Sequence, residues 1–215
     1  AQWQIRSNKM SRIYNFNAGP AALPLEVLQT AQAELIDFNG TGMSILESSH
    51  RAKAYAAIHQ EAKDNIRELM GVPENYSILF LQGGASTQFS MVPMNLLTEG
   101  KVADYTNSGT WANKAIKEAK KVGKVNIVAD CQKEIPTRVP SMDELKLTPD
   151  AAYLHITTNE TISGAQWKEI PNVACPIVAD MSSDILSRPI DVSKFGLIYA
   201  GAQKNLGPSG LTVVI

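Results

Sequence analysis

Seven short runs in this chain are apolar along most of their length instead of alternating apolar with polar, and that pattern constrains the fold more than any other feature. They lie at 77–82 (SILFLQ), 101–106 (KVADYT), 124–129 (KVNIVA), 151–157 (AAYLHIT), 176–180 (PIVAD), 197–202 (LIYAGA) and 211–215 (LTVVI). Strands of this kind belong in a sheet covered on both faces, which is the setting of mostly parallel α/β sheets. Stretches with helical spacing separate several of them, at 86–97 and 111–122, and two more helices are expected upstream. One starts at Leu25 and should end near Asn39-Gly40. The other runs from Ala52 to Met70, with Gly71 closing it. Only eight residues lie between the sixth and seventh runs, too few for a parallel crossover, so that pair should be antiparallel. The expected fold is therefore α/β, a mostly parallel seven-stranded sheet with helices on both faces.

Composition narrows the partners. With 215 residues, 44% hydrophobic and 19% charged, and a formal net charge of −1, the chain has neither a basic footprint for nucleic acid nor a disordered composition. Two cysteines, Cys131 and Cys175, are too few for a disulfide framework, and no run reads as a signal peptide or a membrane span. Small molecules or copies of itself are the expected partners, without nucleic acid or membrane, and the cytoplasm is the expected compartment. No metal site is expected. Residues 1–10 show no apolar period and read as a remnant of recombinant expression or a mobile native arm. Residues 11–49 read as an N-terminal segment, and 50–215 as one large domain.

In an open α/β sheet the ligand crevice lies beyond the carboxyl ends of the strands, so the residues after each run are the candidates for chemistry. After 77–82 comes GGAST, where Ala85 and Ser86 open a helix whose free N–H groups can hold a phosphate; Ser86 as a plain helix N-cap is the alternative. After 101–106 comes NSGTW, with Trp111 available to stack on an aromatic ring or to fill the core. After 151–157 comes TNETISG, where Thr161 can donate to a phenolic oxygen or serve the turn. Asp180 ends the fifth run, as a carboxylate at the crevice floor or an Asx turn. Lys204 follows the sixth, in a Gly/Pro-rich turn beside buried strands. Such a lysine is poorly solvated, which lowers its pKa and frees the amine to attack a carbonyl, and pyridoxal 5'-phosphate is the carbonyl cofactor that suits it. Taken singly, Lys204 also reads as a solvated loop lysine. The order of phosphate cup, aromatic, hydroxyl, acid and lysine on successive strand ends is what joins these residues into one site.

The motifs NFNAGPAALP, SSHR, the QGG turn followed by Gln88-Phe89, SGTW, NETISG, VADMSSD and YAGAQKNLGPSGLTVVI closely resemble the phosphoserine aminotransferase family, fold-type I enzymes of serine biosynthesis, from about Ser11 to Ile215. The resemblance implies a Schiff base on Lys204, Asp180 at the pyridine nitrogen, Trp111 on the ring and Thr161 at the phenolic oxygen. It implies Ala85, Ser86 and Gln203 around the cofactor phosphate, and His50 and Arg51 at the distal acid group of the substrate. His50 as a helix cap and Arg51 as a solvated residue of the first turn stay open as alternatives. The implied substrates are phosphoserine, glutamate, 2-oxoglutarate and 3-phosphohydroxypyruvate, and the implied assembly is a homodimer. The phosphate turn departs from the family in having Ala85 and Ser86 where a third glycine or a basic residue often stands. Family members also continue beyond the position of Ile215 into a smaller C-terminal domain, which this chain is expected to lack. Another fold-type I aminotransferase and an inactive truncated cofactor-binding fragment are the alternatives.

Overall fold

The computed structural model describes residues 12–215. The expectation for residues 1–10 falls outside them. Two helices come first, α1 (Leu25–Glu34) and α2 (Lys53–Met70), followed by β1 (Leu79–Gln82), α3 (Ala85–Leu96), β2 (Val102–Asn107), α4 (Thr110–Val122) and β3 (Lys124–Asp130). The remaining strands are β4 (Leu154–Thr157), β5 (Ile177–Asp180), β6 (Leu197–Gly201) and β7 (Leu211–Val214). All seven expected strands form, in one sheet of order β1-β7-β6-β5-β4-β2-β3. β7 is antiparallel to β6, as the short connection requires, and also to β1. The other neighbours pair in parallel, so β7 alone runs against the remaining six.

Each face of the sheet carries its own core. One is built by α3 and α4, where Phe89, Val92, Ala115 and Ile116 pack on Tyr105, Tyr153, Val178 and Tyr199. The opposite face packs Ile66 and Met70 of α2 with Trp167, Ile185 and Phe195 against Ile156, Ala179, Ile198 and Val213. Both faces are thus covered, which is why the strands are apolar on both sides; β4 and β5 are buried at every position.

Helix boundaries follow from local chemistry with one correction. α2 stops at Gly71, whose φ of 62° places it in the left-handed region that a glycine enters without a Cβ penalty. α1 ends at Glu34, five residues before the expected stop at Asn39-Gly40. None of its residues is buried, and Leu35 and Ile36 are exposed. The apolar spacing that marked the helix has no partner here to carry it further. Among the described residues no helix is long and apolar enough to cross a membrane, and no group of three or more His, Cys, Asp or Glu side chains is placed to hold a metal ion.

Candidate functional site

Because β1 to β6 share one direction, the residues after them collect along one rim of the sheet. Lys204 stands there in the turn after β6, half-buried. Its Nζ donates to Thr161 Oγ1 and lies 4.9 Å from the centroid of the Trp111 indole. Burial lowers its pKa from the ordinary lysine value, while the charges of Asp180 and Glu160 hold it partly up. Asp180, at the end of β5, is 5% exposed. Its Oδ1 accepts from the Ser182 amide at 3.0 Å and from Ser182 Oγ at 2.6 Å, so the Asx-turn alternative is also realised. Burial raises the Asp180 pKa, against the Ser182 hydrogen bonds and the charge of Lys204. The two groups therefore stabilise each other's charge across the rim, both working against desolvation.

The turn after β1 prepares a second pole. Gly84 is the N-cap of α3 and no side chain caps the helix, so the first N–H groups are left for another acceptor. Ser86 lies in the first turn, one residue past Ala85, and the reading of Ser86 as N-cap is corrected accordingly. The short carboxyl end of β1 leaves Gly83, at φ 94°, to turn the chain into α3. Gln203 meets this helix start over Gly201. A Cβ on Gly201 would stand 2.8 Å from Gln203 Oε1 and 3.3 Å from the Ala85 nitrogen, so only a glycine leaves the three room to converge.

His50 and Arg51 are not drawn into this arrangement. Both are exposed in the turn before α2, whose N-cap is Ala52, so the cap alternative for His50 fails. The Arg51 amide donates to Ser49 Oγ at 3.2 Å, and among the described residues its guanidinium forms no ion pair.

Several residues of the rim went unmarked in the sequence. Gly19 lies against Lys204, since a Cβ there would be 2.7 Å from Lys204 Cγ, and the Ala21 amide donates to the Gln203 carbonyl at 2.8 Å. Residues 19–21 thus overlie the lysine stem. Ser182 joins strands, as its Oγ also accepts from the Gly201 amide at 3.0 Å. Lys114 Nζ sits 4.2 Å from the Trp111 ring centroid, one helical turn on. Glu160, 1% exposed, accepts from the amides of Trp111 and Ala112 at 3.0 Å each and so supplies the cap that α4 lacks locally. The acid in NETISG was the available signal for Glu160, but its partners lie about fifty residues away and no local pattern names them.

Known proteins share this fold and much of this sequence. The chain is 61% identical over 206 residues to the phosphoserine aminotransferase of Geobacillus kaustophilus, a match covering 96% of this chain and 57% of that protein. It superposes on the phosphoserine aminotransferase of Bacillus circulans subsp. alkalophilus with a TM-score of 0.89 at 57% identity, covering 94% of this chain and 56% of that one. The crystal structure of a PLP-bound phosphoserine aminotransferase from Trichomonas vaginalis gives a TM-score of 0.89 at 47% identity, over 94% and 57% of the two chains. The chain therefore spans a little over half the length of these relatives. The model of the class-V aminotransferases matches residues 13–215, the span that holds the whole sheet and its rim, and this chain belongs to that family.

Proposed function

We propose that this chain carries the cofactor-binding part of a pyridoxal-phosphate-dependent aminotransferase that exchanges an amino group between phosphoserine and 2-oxoglutarate, in either direction. The observation that carries the reading is the amine of Lys204, bonded to Thr161, 4.9 Å from the Trp111 ring and facing the charge of Asp180 on one rim. Identity of 61% to a curated phosphoserine aminotransferase supports the substrate pair.

The residues fit the cofactor. Trp111 Nε1 is buried without a partner among the described residues, the start of α3 has no side-chain cap, and Gly201 leaves a cradle under Gln203. Pyridoxal phosphate, when bound, supplies an aldehyde that condenses with amines and a protonated ring that withdraws electrons. Asp180 would hold the proton on the ring nitrogen, Trp111 would stack on the ring, and Thr161 would donate to its phenolic oxygen. The Ala85 and Ser86 amides with the Gln203 side chain would bind the phosphate. Lys204 Nζ, poorly solvated and low in pKa, is the base that moves the proton from the substrate Cα. The exposed guanidinium of Arg51, with His50, would take the distal acid group of the substrate.

Residues 50–215 form the cofactor-binding domain in this assignment, with 11–49 as the segment preceding it. A homodimeric, cytoplasmic enzyme of serine biosynthesis follows, which sedimentation and fractionation of the full-length protein test. Borohydride reduction of the loaded full-length protein, followed by peptide mapping, should fix the cofactor on Lys204; an adduct elsewhere, or none, refutes the cofactor assignment. A coupled assay should show 3-phosphohydroxypyruvate preferred over pyruvate and glyoxylate, and the opposite order would assign a different oxo acid.

A further inference from the structure

Glu160 is a buried carboxylate of the rim whose two oxygens face the start of α4. Its Oε2 accepts from the Trp111 amide and its Oε1 from the Ala112 amide, both at 3.0 Å, while Ser108 Oγ approaches Oε1 at 3.4 Å. A carboxylate on the first N–H groups of a helix meets both unpaired donors and the positive end of the helix dipole. Gly109 is shaped around it, because a Cβ at that position would lie 2.7 Å from Glu160 Cδ and 2.8 Å from Oε2. The backbone of Glu160 is fixed as well, with its N–H on the Ala165 carbonyl at 2.8 Å and its carbonyl accepting from Gly164 at 2.7 Å. The next residue along is Thr161, the hydrogen-bond partner of Lys204.

We propose that Glu160 is a positioning residue that sets the Trp111 indole at its working distance from Lys204 by clamping the start of α4 to the loop that carries Thr161. One rigid turn then fixes two walls of the site, the hydroxyl directly and the indole through the amide of its own residue. The inference gains its functional meaning from the assignment of Trp111 to the cofactor ring, but the placement of the indole is a property of the protein without cofactor.

The test uses cofactor-free full-length protein. The signal of Trp111 is isolated by subtracting the emission of the matching Trp111→Phe protein. Glu160→Gln keeps the size of the side chain but turns an NH2 toward one of the two amides. It should lower the melting temperature by a few degrees, shift Trp111 emission to longer wavelength and increase its quenching by acrylamide. Glu160→Asp, one carbon too short to reach both amides, should move the signal the same way. Gly109→Ala leaves the carboxylate in place chemically but pushes it off the helix start, and it should reproduce the same shift. If Glu160→Gln melts lower with Trp111 emission and quenching unchanged, Glu160 is a structural cap only and the proposal fails. If Glu160→Gln does not fold, Gly109→Ala decides alone, and an unchanged Trp111 signal there overturns the proposal. Neither result depends on the borohydride adduct at Lys204, so failure of the cofactor assignment and failure of this one are told apart.

Discussion

Lys204 owes its low pKa first to burial, with Asp180 and Glu160 opposing the shift. Removing the charge of Asp180 should therefore carry the amine further down. In Asp180→Asn, the pH profile for capture of an aldehyde by Lys204 is expected to move to lower pH, while transamination by the full-length protein slows on the order of a hundredfold or more. An unmoved profile would show that the two groups are not coupled. His155 gives a second titration at this scale. Fully buried between Tyr105, which stacks on it at 4.6 Å, and the Tyr199 hydroxyl at 2.8 Å, it has its pKa pushed down to about 3 by desolvation. Below the ordinary histidine value the unfolded chain binds a proton that the folded chain refuses, so stability is fully present above about pH 6.5 and falls as pH drops toward about 3. At about pH 4.5 this group alone should cost about 2–3 kcal/mol relative to neutral pH. Urea unfolding at the two pH values measures it, and His155→Gln, which keeps a partner for Tyr199, should flatten that part of the slope.

Among elements, the starts of the helices matter more to the site than their lengths. The uncapped start of α3 converges with Gln203 over Gly201, so Gly201→Ala should displace the Gln203 amide without unfolding β6. Loss of one hydrogen bond to a charged group is worth about 1.5–3 kcal/mol, so affinity for pyridoxal phosphate should drop on the order of tenfold to a hundredfold. Equilibrium titration reads it, and unchanged affinity would remove Gln203 from the phosphate site. The strands, the start of α3 and the end of α2 were legible in the sequence because turn residues punctuate them locally, as at Gly83-Gly84 and Gly71. The end of α1 was not, since Leu35 and Ile36 continue the apolar spacing yet bury nothing. Lys204, Asp180, Thr161 and Trp111 were legible by their order on successive strand ends. Glu160 and Ser182 were hidden, because each acts on a segment remote in sequence while looking like ordinary turn chemistry at home.

Among the described residues the central strands are covered on both faces of the sheet, but the N-terminal elements are not covered. Tyr14, Phe16, Leu25, Val27, Leu28 and Ile36 are all exposed, and the first three line a shallow cavity. Apolar surface of this extent promotes association. The 215-residue chain at micromolar concentration is expected to bind a hydrophobic dye and to sediment above its monomer mass. Leu28→Glu with Ile36→Glu should reduce both without changing its circular dichroism, and no change in either would acquit this surface.

The reversed strand β7 sets an order of assembly. β1 has no other neighbour in the sheet, and its Leu79 pairs with Val214, near the far end of the chain. Contacts so distant in sequence are slow to close, because the intervening chain must be ordered before they form. During synthesis β1 and the α3 start behind it are expected to stay unpaired until β7 has emerged from the ribosome. Lys204 is then drawn into place by the same hairpin that seats β7 between β6 and β1. The start of α3 and the lysine turn should thus come together only once β7 pairs, and a nascent chain halted before Leu211 should hold α4 and its parallel strands protected from hydrogen exchange while β1 still exchanges freely.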